Sequence, residues 1–262
     1  MKIEKVLAAL ERFAPLPLQE DYDNAGLQIG LTEAEVSGAL LCLDVTEAVI
    51  DEALQKNCNL IVSHHPLLFR ALKQISDKTQ VQRVIIKAIR ENIAIISMHT
   101  NLDNVRDGVN AKIAEKLRLD DCQLLGKQRM VDGIDGASGI VGNLPQPVEA
   151  PEFIDLLKEA FAVPFVQANA LLERKVSRVA VCGGAGAFLL DDALMAGADA
   201  FVTGEMRYHE FFGHDQQLQI AVIGHYESEQ FTPEIFKRVL EDACPQLRCL
   251  ISSTNTNPIV YR

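Results

Sequence analysis

The stretch Asn59-Leu60-Ile61-Val62-Ser63-His64-His65-Pro66 decides the fold class that the sequence predicts. Its apolar run is typical of a buried β-strand, and Pro66 ends the strand because proline has no N–H to donate to a sheet. Two imidazoles therefore stand at the carboxyl end of a strand, where open α/β sheets build their sites. Neutral imidazole is a common ligand of zinc-like metals, so the pair indicates a metal centre.

Strands and helices alternate on both sides of this stretch. The patterns predict strands over 38–46, 59–65, 93–98, 176–182, 199–203, 219–223 and 247–252. They predict helices over 1–12, 47–56, 80–91, 109–117, 188–196 and 232–243. This alternation is typical of mainly parallel sheets with covering helices, so we expect an α/β fold.

The middle of the chain is rich in glycine and proline. Residues 132–151 contain four glycines and three prolines, which predicts a turn-rich crossing segment near a domain boundary. We expect two related α/β lobes, an N-terminal lobe over 1–130 and a C-terminal lobe over 131–262. Packing of the last segment of the second lobe back on the first lobe is a further possibility.

Composition narrows the class of protein. The 262 residues are 48% hydrophobic and 23% charged, with a formal net charge of −11, which weighs against binding to nucleic acid. The N-terminal helix carries charges throughout, and no apolar stretch approaches membrane-spanning length. The six cysteines are scattered without a C-x-x-C pair, as in reduced proteins. We expect a cytoplasmic protein with no membrane contact.

Metal-compatible side chains follow four of the predicted strands, and these are His64 and His65, then His99 and Asp103, then Glu205, then His225 and Glu229. Any one of them alone is better explained as a strand cap or a partner of a neighbouring residue, but their concentration at equivalent strand ends favours a metal site. The spacing of His225 and Glu229 places both on one face if the chain is helical there. Imidazoles with carboxylates suit Zn, Mn, Fe, Ni or Co, and Mg less well, and carboxylates can bridge two ions.

Several roles stay open at this point. His99 is a candidate for orienting a ligand through a hydrogen bond, and Glu205 either orients a ligand or stabilises the turn after Gly204. The glycine loop 183–186 follows a strand, so its amides either hold an anion or allow tight packing. It lacks the spacing of dinucleotide and Walker loops, and no G-x-S-x-G elbow indicates a serine hydrolase.

The ordered motifs resemble those of the dinuclear-metal Nif-three-like family, whose bacterial members are often labelled GTP cyclohydrolase type 2 homologues. The motifs that carry the resemblance are Asp23-Asn24-Ala25-Gly26-Leu27, Ser63-His64-His65-Pro66, His99-Thr100-Asn101-Leu102-Asp103, Gly197-Ala198-Asp199 through Thr203-Gly204-Glu205, and Gly224-His225 through Glu229. Together they span nearly the whole chain. Tyr22 stands where the family usually has tryptophan, and the short middle resembles the compact bacterial form.

The resemblance implies a fold, a ligand set and an assembly. The fold is two intertwined three-layer α/β subdomains with the metal site between them. The ligands of two divalent ions per chain are then His64, His65, Asp103, His225 and Glu229. The implied assembly is a homohexameric ring.

Two classes of function are consistent with these features. The first is a metal-dependent hydrolase of a small anionic or nucleotide-like substrate, with GTP ring opening as the specific candidate and His99 or Glu205 as candidates for proton transfer. The second is a non-catalytic ring that stores or delivers metal or binds other proteins. An enzyme needs open coordination positions, whereas a storage site needs none.

Overall fold

A computed structural model describes residues 1–260 and 262. The helices are α1 (Ile3–Phe13), α2 (Glu47–Gln55), α3 (Gln80–Arg90), α4 (Thr100–Asn104), α5 (Val109–Lys116), α6 (Ala150–Phe161), α7 (Leu190–Met195), α8 (His225–Glu229) and α9 (Thr232–Ala243). The strands are β1 (Gly26–Ile29), β2 (Ala39–Cys42), β3 (Leu60–Ser63), β4 (Ala94–Ser97), β5 (Asp120–Leu125), β6 (Arg129–Val131), β7 (Ile134–Gly136), β8 (Gly139–Val148), β9 (Gln167–Ala168), β10 (Val176–Cys182), β11 (Ala200–Thr203), β12 (Gln219–Val222) and β13 (Cys249–Ile251). The α/β class predicted from the alternation of apolar runs is confirmed.

The chain divides into two compact units. The first unit comprises residues 1–102 together with 232–262, and the second comprises residues 103–231. The sequence-based boundary at 130/131 therefore lies inside the second unit.

The first unit is built on a sheet with the strand order β1-β4-β3-β2-β13. Its neighbouring strands are parallel except for the edge pair of β1 and β4, which is antiparallel. Every residue of β2, β3 and β4 is buried, as expected for parallel strands covered on both faces. Two-sided burial is thus the physical origin of the uninterrupted apolar runs that predict these strands.

Helices cover both faces of this sheet. Because side chains alternate along a strand, Leu40 and Ile61 face one way and pack with Ile50 of α2 and Ile85 of α3 in a buried cluster. The residues next to them along each strand point to the opposite face and are also buried. Helix α9 contacts β2 and β13 and packs against α1. Thr46 is the N-cap of helix α2, and its hydroxyl accepts a hydrogen bond from the Val49 N–H. The first unit is therefore a three-layer α/β structure.

The second unit is built on a mixed sheet with the strand order β5-β8-β10-β11-β12-β9. Strands β10, β11 and β12 form a parallel centre, whereas β5, β8 and β9 pair antiparallel with their neighbours. Phe201 of β11 packs with Ala193 of α7 in the buried cluster on one face, and α5 contacts β8 and β10. The expected parallel pairing therefore dominates the first sheet and is limited to the centre of the second.

The expectation of a turn-rich segment over 132–151 is wrong for most of its length. Residues 139–148 form β8, the longest strand in the described part of the chain. Its first half pairs with both β5 and β10, and its two prolines, Pro145 and Pro147, lie in the exposed second half where the pairing with β10 shifts register. Proline is tolerated there because no ladder hydrogen bond from its nitrogen is needed.

No helix among the described residues combines the length and apolar character needed to cross a membrane.

Candidate metal centre

The carboxyl ends of three parallel strands lie side by side at one edge of the first sheet. Cys42 of β2 pairs with Ser63 of β3, and Ser63 pairs with Ser97 of β4. The residues that follow these strand ends include Asp44, His64, His65 and His99. The register of the sheet thus brings polar side chains from three segments to one edge.

His64 and His65 are each anchored through the Nδ1 atom. His64 is buried, and its Nδ1 lies 2.9 Å from the carbonyl oxygen of Met98, which can only accept a hydrogen bond. The Nδ1 of His65 lies 2.7 Å from Oδ1 of Asp44. In both neutral rings the proton therefore sits on Nδ1 and the lone pair on Nε2, which is the state that binds a metal.

Two buried serines fix the turn that carries these histidines. The Ser63 hydroxyl donates to the carbonyl of His65 at 3.0 Å and lies 2.8 Å from the Ser97 hydroxyl. Both serines are fully buried, so these hydrogen bonds satisfy their hydroxyl groups away from solvent.

His99 is oriented by a buried carboxylate from the start of the chain. Asp23 accepts from His99 Nδ1 at 2.7 Å, from the Thr100 N–H at 2.9 Å and from the Thr100 hydroxyl. Burial would raise the pKa of Asp23, but the hydrogen bond from His99, the electrostatic attraction of its ring and the hydrogen bonds from Thr100 outweigh it and lower the pKa to about 2. Asp23 is therefore anionic at neutral pH, and its contact with Nδ1 leaves Nε2 as the ring nitrogen of His99 that does not face Asp23.

These three histidines form one group in the first unit. Their ligand nitrogens all lie within 4.8 Å of one another, and the group could hold a metal ion. Burial would raise the pKa of Asp44, but hydrogen bonds from His65 and Thr256 and the electrostatic attraction of the His65 and His64 rings outweigh it and lower that pKa. The carboxylate behind His65 is thus ionised as well.

The second unit repeats this plan at its own sheet edge. Cys182 of β10 pairs with Thr203 of β11, which pairs with Val222 of β12. The segments after these strands carry the glycine loop, then Gly204-Glu205, then Gly224-His225. The parallel centre of the mixed sheet therefore supplies the second set of strand ends.

His225 lies between two carboxylates. Its Nδ1 is 3.0 Å from Oε1 of Glu205, and its Nε2 is 3.1 Å from Oε2 of Glu229. His225 and Glu229 are four residues apart on α8, so the helical register predicted for this pair is confirmed. Of the two roles open to Glu205, the structure favours orientation of His225, because the Nδ1 contact leaves Nε2 and Glu229 together.

Glycines make room for this pair of residues. A Cβ on Gly184, which has a φ of +57°, would collide with Oε1 of Glu229 and lie 3.4 Å from His225 Nε2. A Cβ on Gly204 would lie 2.7 Å from Ser228 Oγ and 2.9 Å from His225 Cα. The glycine loop therefore serves close packing against the candidate ligands.

Three of the four loop amides donate hydrogen bonds within the protein, and the Gly186 N–H donates to Thr203 Oγ1 at 3.1 Å. The Gly183 N–H donates to Asn110 Oδ1 at 2.9 Å, and the Gly184 N–H donates to Ser228 Oγ at 2.9 Å. Of the two explanations for the loop, tight packing is supported over anion binding.

Asp103 lies on the short helix α4, beyond the end of β4. Asn110 of α5 is buried and donates to the Asp103 carbonyl at 3.0 Å, which ties this segment to the glycine loop. Carboxylate oxygens of Asp103 and Glu229 lie within 4.8 Å of each other, as do ligand atoms of His225 and Glu229. Cys182 is nearby, but burial and then the charges of Asp103 and Glu229 raise the pKa of its thiol, so it stays protonated and is a poor ligand.

Each unit thus brings the predicted residues into a group of its own. The first unit collects His64, His65 and His99, and the second collects Asp103, Glu205, His225 and Glu229. Imidazole and carboxylate donors without thiolate are the chemistry of Zn, Mn, Fe, Co or Ni sites, so these residues fit a divalent metal ion.

Sequence reasoning missed the residues that hold the ligands in place. Asp44 could have been identified from the sequence, because it is the one charged side chain in the apolar run over 38–46. Asp23 belongs to the Asp23–Leu27 motif but contacts a residue 76 positions away. No sequence pattern identifies Asn110, because it lies on an ordinary amphipathic helix.

The fold and the site define an α/β protein with candidate metal ligands at the carboxyl edges of its parallel strands. The chain belongs to the Duf34/NIF3 (NGG1p interacting factor 3) family, which it matches over residues 1–258. The family resemblance drawn from the motifs is therefore confirmed.

Individual relatives match the chain over its full length. A GTP cyclohydrolase 1 type 2 homolog of Clostridium acetobutylicum is 34% identical over 268 aligned positions, covering 100% of this chain and 99% of the relative. A protein of the same name from Halalkalibacterium halodurans is 26% identical over 367 aligned positions, covering 98% of each chain. That longer alignment agrees with a compact form that lacks an inserted segment.

The fold has close counterparts among solved structures. The crystal structure of the Staphylococcus aureus hypothetical protein SA1388 superposes with a TM-score of 0.92 at 27% identity, covering 100% of this chain and 99% of that chain. The whole α/β architecture is thus shared with this structure.

Proposed function

We propose that this protein is a metal-dependent hydrolase of a small anionic or nucleotide-like substrate. In this proposal His64, His65, Asp103, His225 and Glu229 bind two divalent ions per chain, such as Zn, Mn, Fe, Ni, Co or Mg. One observation carries it: each of the three histidines in this ligand set has Nδ1 against an oxygen acceptor. An oxygen partner on Nδ1 is the usual arrangement of metal-binding histidines.

The chain's own residues have separate tasks in this proposal. Bound divalent ions would lower the pKa of a water molecule and offset negative charge on the substrate. Asp44 and Glu205 hold the rings of His65 and His225 in their ligand orientation. His99, fixed by Asp23, exchanges a proton at Nε2 with the attacking water or the leaving group.

The acidic charge of the chain does not exclude an anionic substrate. The chain has a net charge of −11, and the site itself is lined by carboxylates, so an anionic substrate requires the local positive charge of metal ions. The names of the relatives, GTP cyclohydrolase 1 type 2 homolog, make opening of the guanine ring of GTP the specific candidate.

The ligand assignment is tested by metal content. Purified protein reconstituted with Zn²⁺, Mn²⁺ or Co²⁺ should hold up to two ions per chain. His64→Ala and Glu229→Ala should hold fewer, whereas His209→Ala, an exposed histidine beside Tyr208 and Phe212, should match the parent. Unchanged metal content in both ligand variants would contradict the assignment.

Activity is tested with the same preparations. Metal-loaded protein is incubated with GTP, other nucleotides and phosphoesters, and the products are separated by chromatography. Asp103→Asn should lose most turnover, because a neutral amide binds and bridges metals poorly. If the parent binds metal tightly but turns over none of these substrates, a storage or delivery ring replaces the hydrolase as the function. Activity retained by metal-free Asp103→Asn would place the chemistry elsewhere.

We also propose that the protein works as a homohexameric ring in the cytoplasm. The assembly rests on the family resemblance, and the compartment fits six cysteines that are all free thiols. Light scattering at micromolar concentration should give six times the chain mass of 28.9 kDa. A monomer mass would contradict the ring.

A further inference from the structure

The end of the chain returns to the metal-site edge of the first sheet. Strand β13 pairs in parallel with β2, with Ile251 opposite Leu41, and the Ser252 N–H donates to the Leu41 carbonyl at 2.8 Å. The chain then continues without helix or strand over 252–260. It therefore leaves the sheet beside the strand end that carries Asp44.

A buried carboxylate holds the first residues of this C-terminal segment. Glu52 of α2 is 7% exposed and accepts from the Ser252 hydroxyl at 2.5 Å and the Thr254 hydroxyl at 2.7 Å. It also accepts from the N–H and hydroxyl of Ser253, at 2.7 and 2.8 Å, and from the Thr254 N–H at 3.2 Å. A carboxylate is buried without penalty only when donors surround it, so five donors from three consecutive residues make a firm anchor.

Two residues further on, the segment reaches the partner of a candidate ligand. The Thr256 hydroxyl donates to Oδ2 of Asp44 at 2.6 Å, while Oδ1 of the same carboxylate lies 2.7 Å from His65 Nδ1. One oxygen of Asp44 is thus fixed by the chain end and the other by the imidazole. Because both oxygens are hydrogen-bonded, the Asp44 carboxylate cannot rotate freely. Its fixed orientation in turn fixes the orientation of the His65 ring.

We propose that the C-terminal segment 252–256 is a positioning element of the metal site, in which Thr256 sets the affinity of His65 for metal by holding Asp44. This inference rests on the proposed function in that His65 is a metal ligand. It adds the far end of the chain to the residues on which metal binding depends, so loss or displacement of this segment releases metal.

The test compares variants of the full chain for Co²⁺ affinity, measured by chelator competition, and for the visible absorption spectrum of the bound Co²⁺. Thr256→Val should weaken Co²⁺ binding about tenfold and change the spectrum, as expected when the partner of a ligand is disturbed. Thr256→Ser, which restores the hydroxyl, should return both to the parent values. Thr79→Val is the matched control and should keep the parent's affinity and spectrum, because it removes a threonine hydroxyl outside the segment, one that accepts from the Gln82 N–H at 3.3 Å as the N-cap of α3.

A double variant shows whether Thr256 acts through Asp44. Asp44→Ala should weaken Co²⁺ binding at least as much as Thr256→Val, and the Asp44→Ala/Thr256→Val double variant should be no weaker than Asp44→Ala alone. Equal affinity in Thr256→Val and the parent, or fully additive losses in the double variant, would overturn the inference. A parent that binds no Co²⁺ would instead overturn the proposed metal site and this role with it. Melting temperatures of the metal-free variants separate a loss of folding from a loss of affinity.

Discussion

At the scale of single residues, each histidine of the candidate metal site is oriented by a hydrogen-bond acceptor at its Nδ1 atom. The acceptors of Nδ1 are a backbone carbonyl for His64 and carboxylates for His65, His99 and His225. A carboxylate behind an imidazole raises the basicity of the ring as well as fixing its orientation. The side chains of the proposed ligands are therefore held in orientation by the protein itself.

Gly184 gives a residue-scale prediction. Gly184→Ala should lower Zn²⁺ affinity about tenfold, because the new Cβ would displace the carboxylate of Glu229, and disturbed ligand geometry costs this much. It should also destabilise the metal-free protein by about 1–2 kcal/mol, the cost of a left-handed backbone at alanine. Chelator competition and urea unfolding measure the two effects.

Gly197→Ala is the matched control for this prediction. Gly197 also has a positive φ, +68°, but its Cβ would meet nothing within 4 Å. It should share the loss of stability and keep the parent's Zn²⁺ affinity. Equal affinities in both alanine variants would contradict the steric role of Gly184.

At the scale of elements, the sequence predicts strands well where both faces are buried. The runs that form β2, β3, β4 and the parallel strands β10, β11 and β12 are mostly apolar, and the structure places strands there. The sequence does not predict strand β5, because its first residues, Asp120 and Asp121, are polar and exposed. Nor does it predict strand β8, because its glycines and prolines indicate turns, whereas pairing on both sides holds its first half extended.

The candidate ligands were predictable for a similar reason, and their partners were not. A histidine that directly follows an apolar run is visible in a short window of sequence, as His64 and His65 are. The residues that orient the histidines and their partners come from distant segments, such as Asp23 for His99 and Thr256 for Asp44. Only the folded chain brings such pairs together, so no local pattern identifies them.

The C-terminal segment gives an element-scale prediction about pH. Burial would raise the pKa of Glu52, but hydrogen bonds from Lys56, Ser252, Ser253 and Thr254 outweigh it and hold the pKa well below its ordinary value of 4.5. A carboxyl with a lowered pKa in the folded state contributes stability that is complete above its unfolded pKa and is lost as pH falls toward the folded pKa. Glu52→Gln should therefore destabilise the metal-free protein by about 2 kcal/mol at pH 7, the scale of hydrogen bonds to a charged group.

Urea unfolding across a pH series checks this dependence. The difference between the parent and Glu52→Gln should be constant above about pH 5.5 and shrink steadily below about pH 4.5, the ordinary pKa of the carboxyl. Asp51→Asn, which removes an exposed partner of Lys87, is the control and should change stability by less than about 1 kcal/mol. A difference for Glu52→Gln that does not vary with pH would exclude the charge of Glu52 as its cause.

At the scale of the whole molecule, the two units share one plan. Each has three parallel strands in register, and each carries metal-compatible residues immediately beyond their carboxyl ends. The second unit is inserted between residues 102 and 232 of the first, so the chain crosses from one unit to the other twice. A ligand set drawn from both units would make metal binding depend on the folding of each.

This dependence gives the last prediction. If the metal ions bind the folded chain and not the unfolded one, Zn²⁺ at a thousand times its dissociation constant should stabilise the protein by about 4 kcal/mol. Thermal unfolding with Zn²⁺ and with a chelator measures the shift. Under the proposed ligand set, His64→Ala in the first unit and His225→Ala in the second should each remove most of it, while His209→Ala should keep it. A shift lost in only one of the two ligand variants would show that a single unit binds the metal on its own, and the five-residue ligand set would then be wrong.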